Sequence, residues 1–157
     1  MTNDTVGGMV EAIAWWRLDL PDRRRVLIQA AVDLLMSEIG GPAVSEMASL
    51  YSDADAFEID QSIQQVADEL GISSDLSRES NLIVLPRMCR LVLAGALSER
   101  EFSRWAHSEF HHESDVELLN DLALLDDDYD DAVDAQKDTA SIRARIRDLA
   151  HEILALP

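Results

Sequence analysis

The feature that most constrains the fold of this chain is the spacing of its apolar residues, which recur every three or four positions over most of the sequence. The segment 56–70 is the clearest case, and its apolar residues are Ile59, Ile63, Val66 and Leu70. This spacing places them on one face of an α-helix. Alternating apolar and polar runs, which mark half-buried strands, are scarce. We therefore predict an all-α fold, a single helical-bundle-like domain of about eight helices.

The same spacing and the Gly, Pro and Ser residues between segments predict the helix boundaries. The first five predicted helices cover residues 4–18, 21–39, 43–51, 56–70 and 82–93. Two central helices follow, which begin at Ser98 and Ser114, and a last helix ends near Leu156. Pro86 is expected either to kink the fifth helix or to begin a new helix. Gly40 and Gly41 are expected to end the second helix. The Ser-rich segment 72–80 divides the chain, if it is divided, into two helical halves, 1–75 and 80–157.

The most acidic segment runs from Glu113 to Asp134 and contains ten Asp and Glu residues and no Lys or Arg. The residues expected to face the core are Leu118, Leu122, Leu125 and Tyr129. Those expected on the opposite, outward face are Asp127, Asp130, Asp131 and Asp134. Like charges at such spacings destabilise an isolated helix by about 0.2–0.5 kcal/mol a pair. A basic partner would relieve that repulsion; a solvated face that keeps the protein soluble is the alternative.

Two capping boxes mark this part of the chain, Ser98 with Glu101 and Ser114 with Glu117. The first belongs to an SxxEFxxW motif, in which Phe102 and Trp105 share a face and are expected to pack in the core. A leucine-rich helix and a small-residue turn precede the motif. A leucine-rich helix that ends in acids and a tyrosine follows it, and one more helix completes the order.

This order of elements over residues 80–157 resembles the immunity proteins of bacterial toxin systems, in particular the colicin D immunity type. The resemblance implies an inhibitor that covers the basic cleft of a nuclease toxin with acidic side chains. On this sequence the implied partner-binding residues are Asp126, Asp127, Asp128, Asp130, Asp131 and Asp134. The N-terminal half is outside the resemblance, so either half is open as the interface. A second acidic region there consists of Asp53, Asp55, Glu58 and Asp60.

The charge balance of 13 Lys and Arg against 31 Asp and Glu, a net charge of −18, points to the same kind of partner. Nucleic acid and anionic membranes are not expected, because they are themselves polyanions. The expected partner is a basic protein. Cys89 is the only cysteine and lies in an apolar stretch, which predicts a buried thiol. The sequence has neither a signal-peptide pattern nor a long apolar run, so we expect a cytoplasmic protein.

The basic residues of the chain offer an internal alternative to a basic partner. Arg143, Arg145 and Arg147 lie on the last helix, which would neutralise the acidic helix if the two packed together. At the other end of the chain, the arginines at positions 23–25 are expected to pair with acids. A phosphate site is the alternative there, but no glycine-rich loop accompanies them. Trp15 and Trp16 are both expected in the core.

The chain contains residue types that commonly form metal or catalytic sites, but their spacing does not match the patterns of such sites. His107 and His111 have the i, i+4 spacing of metal ligands, yet HSEFH is not the HExxH of zinc proteases. Glu109 with His112, and Asp148 with His151, match di-iron ligand pairs poorly. The run of acids from Asp126 lacks the glycine and glutamate of a calcium loop. We therefore predict no metal site, no cofactor and no enzymatic activity.

Three functions stay open at this level. The first is an immunity protein that neutralises a basic, nuclease-like toxin domain. The second is an acidic helical adaptor or regulatory protein without a toxin partner. A metal-dependent helical enzyme is the third. Gene neighbourhood separates the first two, since an immunity gene lies directly downstream of its toxin gene.

Overall fold

A computed structural model describes residues 2–50, 53–73, 76 and 79–157, with Thr2 and Asn3 described by their backbone alone. Within these residues there are eight α-helices and no strand, which confirms the prediction of an all-α fold. The helices are α1 (Thr2–Arg17), α2 (Arg23–Met36), α3 (Pro42–Ala48), α4 (Ala56–Leu70), α5 (Ser80–Leu93), α6 (Glu99–Phe110), α7 (Glu117–Asp134) and α8 (Ala140–Leu154). None of these helices is both long enough and apolar enough to cross a lipid bilayer.

The chain divides into two compact units, residues 1–84 and 85–157. The division falls inside α5 and therefore later than the Ser-rich segment 72–80. Residues 74, 75, 77 and 78 of that segment, and Tyr51 and Ser52, which the sequence placed at the end of the third helix and in the next turn, lie outside the described residues. The α5 helix continues through Pro86.

In the first unit each helix from α1 to α4 packs against the next. The core includes Met9, Ile13, Leu27, Leu34, Val44, Met47 and Ile59. Trp15 and Trp16 are 3% and 6% exposed, so both lie in the core as predicted. The indole N–H of Trp15 donates to the carbonyl of Pro21 at 2.8 Å, and that of Trp16 donates to Asp60 at 2.7 Å. Both tryptophans thus bury their rings and satisfy their polar atoms.

The ends of α2 differ from the prediction. The helix begins at Arg23, after Pro21, and it ends at Met36, before Gly40. Its C-terminus is closed by Glu38, whose φ is 57°, and by the amide of Ile39, which donates to the carbonyl of Leu34 at 2.9 Å. This is a Schellman-type end, in which a residue other than glycine takes the left-handed position.

The three arginines of α2 have different surroundings. Arg23 pairs with Asp19 at 2.8 Å, as predicted, and its guanidinium lies 4.1 Å from the centre of a Trp16 ring. Arg24 donates to the carbonyl of Ala54 at 2.6 Å. Arg25 is exposed. These contacts account for Arg23 and Arg24 as parts of the fold.

The N-terminus of α3 is capped from a distant part of the chain. The carboxylate of Glu69, on α4, accepts hydrogen bonds from the amides of Gly41 (2.6 Å), Ala43 (2.9 Å) and Val44 (3.2 Å). These amides have no partner within the helix. The bonds from Ala43 and Gly41 are the main cause that lowers the pKa of Glu69.

Replacing Glu69 by alanine is expected to destabilise the protein by about 0.5–2 kcal/mol, as other lost helix caps do. Because the pKa of Glu69 is lower in the folded chain, its stabilising contribution is present above the pKa of the unfolded chain. The contribution begins to be lost below about pH 4.3, the pKa in the unfolded chain, and is lost completely as the pH falls through the lower pKa of the folded chain. Urea unfolding of the wild type and Glu69→Ala at pH 7 and pH 3 measures this difference. Glu46→Ala removes an exposed acid of α3 and is the control; a pH-independent Glu69 effect would contradict the capping role.

In the second unit, α6 packs against α7 and α8, and α7 packs against α8. Phe102, Ala106, Leu119, Leu122, Ile146 and Leu149 are fully buried. Cys89 is also fully buried, as predicted, and burial raises the pKa of its thiol to about 12. The Cys89 side chain is therefore an apolar packing element.

The two predicted capping boxes have different outcomes. Ser98 and Glu101 form the box at the start of α6, each side chain accepting from the other residue's amide. At the start of α7 the N-cap is Val116, and no side chain caps it, so the second predicted box is wrong. The amide group of Asn120 instead holds both the N–H and the carbonyl of Ser114, each at 2.9 Å.

Candidate partner-binding surface

The acidic helix α7 is flanked by a basic stripe on α6. Arg100, Arg104 and His107 lie four and three residues apart and therefore share one side of α6. Arg100 forms a hydrogen-bonded ion pair with Asp130, and Arg104 lies 3.7 Å from the same carboxylate. The hydrogen bond from Arg100 is the main cause that lowers the pKa of Asp130. Asp130 is thus paired within the unit.

Asp126 has an environment that the other predicted site residues lack. It is 6% exposed, so it does not lie on the outward face with the others, and that part of the prediction is corrected. One carboxylate oxygen lies 3.1 Å from Nδ1 of His107, and the other accepts from the hydroxyl of Ser103 at 3.4 Å. A buried carboxylate requires such partners.

The burial of Asp126 follows from which face of α7 packs inward. The buried residues of the helix are Leu119, Leu122, Ala123, Asp126 and Ala132. Of the four residues predicted to face the core, only Leu122 is fully buried, whereas Leu118, Leu125 and Tyr129 are half-buried. The apolar arc of α7 is broad, and the packing of both α6 and α8 against it decides which part is central.

Asp127 lies between two histidines. Its carboxylate oxygens are 3.7 Å from Nδ1 of His107 and 3.4 Å from Nε2 of His112. His107 is the residue that also contacts Asp126, so three side chains of α6 and its C-terminal turn and two of α7 form one polar cluster: Ser103, His107, His112, Asp126 and Asp127.

The remaining carboxylates of the predicted site face solvent. Asp128, Asp131 and Asp134 are exposed, and within the described part of the chain their side chains form no hydrogen bond or ion pair. We call these three residues the outer acidic face. It is accompanied by two exposed apolar side chains on the same helix, Leu124 (53%) and Val133 (52%).

A shallow notch of about 250 Å³ adjoins the outer acidic face. It is lined by Asp121, Leu124, Leu125, Asp128 and Arg145. Its composition combines apolar side chains with carboxylates and one cation. Such a notch can receive an apolar or aliphatic side chain of a partner while its rim contacts charged groups.

The arginines of α8 do not pair with the acids at the C-terminal end of α7. Arg145 pairs with Glu152 on its own helix at 2.7 Å. Arg147 donates to the carbonyls of Val92 and Leu93 and to Glu99. Arg145 also interacts electrostatically with Asp121, nearer the start of α7. At the C-terminal end of α7 the pairing cations come from α6, a pairing that the sequence-based prediction omitted. The 4 and 3 spacing of the three basic residues on α6 was the available signal for it.

The second acidic region, in the first unit, is mostly used by the fold. Asp55 and Glu58 form the capping box of α4, and Asp60 accepts from Trp16. Asp53 lines an open cavity of about 390 Å³ together with Glu46 and Glu58. The outer acidic face of α7 is therefore a better candidate for a partner surface.

Comparison with protein-family models, curated proteins and solved structures found no match. The class of protein is therefore described from its fold and its surface. The chain is an all-α protein whose acidic helix carries some carboxylates in contact with α6 and its C-terminal turn, and others that are exposed and unpaired among the described residues.

Proposed function

We propose that this protein is an acidic binding protein, and specifically an immunity protein that neutralises a basic, nuclease-like toxin domain. The observation that carries the proposal is the division of charge on α7. Asp126, Asp127 and Asp130 contact α6 or its C-terminal turn, whereas Asp128, Asp131 and Asp134 are exposed and unpaired among the described residues.

The unpaired acids lie three residues apart, so they are neighbours on the helix and repel one another. The cations of α6 already contact other carboxylates. A basic surface on a partner supplies the missing charge, and it also steers association through long-range attraction. The net charge of −18 acts in the same direction.

A solvated acidic face would carry the same charges, but the apolar side chains favour a binding surface. Leu124 is more than half exposed, lies one helical turn before Asp128 and lines the notch with it. Interfaces typically place apolar anchors at their centre and charged residues around them. This combination supports a contact of defined geometry.

The resemblance of residues 80–157 to immunity proteins of the colicin D type supports a toxin as the partner. The competing function, an acidic adaptor or regulator without a toxin, uses the same surface. Co-expression with the product of the adjacent upstream gene separates the two. An immunity protein abolishes the toxicity of that product and co-purifies with it, whereas an adaptor does neither.

Replacing Asp128, Asp131 and Asp134 together by asparagine removes three charges and little packing. The variant is expected to fold, since the repulsion between like charges is relieved. Its association with the protein from the adjacent gene is expected to slow by about tenfold at low salt and to depend less on salt. Association and dissociation rates at two salt concentrations measure both effects.

The matched control removes three exposed acids from the first unit: Asp4→Asn, Glu38→Gln and Glu46→Gln. It changes the net charge by the same amount. If both triple variants slow association equally, only net charge matters and the outer acidic face is not the interface. If neither changes the rate, the outer acidic face lies outside the contact and the proposed interface is wrong.

A further inference from the structure

Two histidines and one aspartate of the second unit meet at the end of α6. His107, His112 and Asp127 each offer one metal-ligand atom, and the three atoms lie within 4.8 Å of one another. The centres of the two imidazole rings are 4.7 Å apart, at an interplanar angle of 61°. We propose that these three side chains bind a divalent transition-metal ion of the zinc class.

The turn after α6 creates this arrangement. The helix ends at Phe110, and the next residue, His111, has φ 53° and ψ −138°. This conformation is uncommon for a residue other than glycine. It reverses the chain so that His112, and not His111, lies beside His107. The i, i+4 pair that the sequence indicated is therefore replaced by a pair five residues apart.

The chemistry of the three groups fits zinc and its neighbours in the periodic table. Imidazole nitrogen and carboxylate oxygen are ligands that Zn²⁺, Co²⁺ and Ni²⁺ accept. In a tetrahedral zinc site with bonds of about 2.0–2.1 Å, ligand atoms are about 3.3 Å apart. Nδ1 of His107 lies 3.7 Å from Oδ1 of Asp127 and Nε2 of His112 lies 3.4 Å from Oδ2, so each carboxylate oxygen approaches one histidine at close to that separation.

The surroundings leave the site open on one side and supported on the other. The side chains of His112 and Asp127 are 44% and 53% exposed, so water has access to further coordination positions. His107 is more buried, and its ring contacts the carboxylate of Asp126, which is itself held by Ser103. Nδ1 of His107 faces both Asp126 and Asp127, so a metal bound through Nδ1 would replace the hydrogen bond with Asp126, whereas a metal bound through Nε2 would leave Asp126 to orient the ring.

The same contacts would exist in a network of histidine and carboxylate side chains that binds no metal. Direct metal binding distinguishes the two. The test uses the free, full-length protein, so it does not depend on the proposed partner, although Asp127 lies on the same helix as the outer acidic face.

Isothermal titration with Zn²⁺ and the visible absorption of the Co²⁺ complex measure binding. The wild type is expected to bind one ion per chain, with Co²⁺ absorption typical of nitrogen and oxygen ligands. His112→Ala and Asp127→Asn are expected to weaken binding by about tenfold or more, since even supporting residues cost that much. His111→Asn is the matched control, because it removes a neighbouring histidine at a turn position with positive φ, where asparagine is among the favoured residues.

Circular dichroism confirms that each variant is folded. Equal binding by the wild type, His112→Ala and Asp127→Asn would overturn the proposal, because the ion would then bind elsewhere. Absence of Zn²⁺ and Co²⁺ binding by the wild type would also overturn it. Loss of binding in His111→Asn with retention in His112→Ala would restore the pair indicated by the sequence and reject the site inferred here.

Discussion

Phe102→Ala is expected to destabilise the second unit by about 3–5 kcal/mol, the range found for large aromatic side chains removed from protein cores. Phe102 is fully buried on α6, the helix that packs against both α7 and α8. Its ring also stacks on Trp105, with 6.3 Å between ring centres. Alanine would leave a cavity at the junction of three helices.

Urea unfolding monitored by circular dichroism measures the loss. The matched control is Phe57→Ala, which makes the same chemical change at a residue that is 69% exposed on α4. The control is expected to alter stability by no more than about 0.5 kcal/mol. A Phe102→Ala loss as small as that of the control would show that α6 is not central to the unit.

Phe102 and Trp105, which share a face of α6, differ in burial. The sequence predicted that both would pack in the core, but Trp105 is only half-buried. Its ring lies between Phe102 and Phe110, with 5.8 Å between the centres of the Trp105 and Phe110 rings. Trp105→Ala is therefore expected to cost less than Phe102→Ala.

The second large effect is expected at Gly40, where alanine should destabilise the first unit by about 2–5 kcal/mol. Its φ is 97°, a region that residues with a side chain rarely adopt, and a left-handed conformation costs about 1–2 kcal/mol. A Cβ atom would lie 2.6 Å from Cγ2 and 2.8 Å from Cβ of Val44. Val44 is fully buried and β-branched, so it cannot move aside cheaply, and overpacking adds about 1–3 kcal/mol.

Gly71→Ala distinguishes the conformational cost of a positive φ from the cost of the close contact with Val44. Gly71 also has a positive φ, of 68°, but nothing lies within 4 Å of an added Cβ atom. It is expected to show only the conformational cost. Thermal and urea unfolding of both variants measure the difference. Equal losses would mean that Val44 yields without cost and that the close approach at Gly40 is unimportant.

The elements that the sequence by itself determined are those set by neighbours along the chain. The bounds of α4, the helix end at Gly71 and the capping box of Ser98 with Glu101 follow from contacts three or four residues long. Such contacts exist wherever the segment is helical, whatever surrounds it. The all-α fold followed from the same short-range periodicity.

Local signals failed where a distant residue or a different local partner took over. At α3, Glu69 of α4 supplies the cap. Near the start of α7, Asn120 holds Ser114, and the predicted box with Glu117 does not form. No signal within α3 pointed to its distant cap, and at α7 the positions of the chain segments decided that Asn120, and not Glu117, reached Ser114.

Only the tertiary structure decided how the charges of α7 are divided. The ten acids between residues 113 and 134 were plain in the sequence, but their partners were not. Packing against α6 turned Asp126 inward and paired Asp130 with Arg100, while Asp128, Asp131 and Asp134 stayed exposed. Helical periodicity defines which residues share a face. Which face becomes buried, and which charges meet, depends on the helices that pack against it.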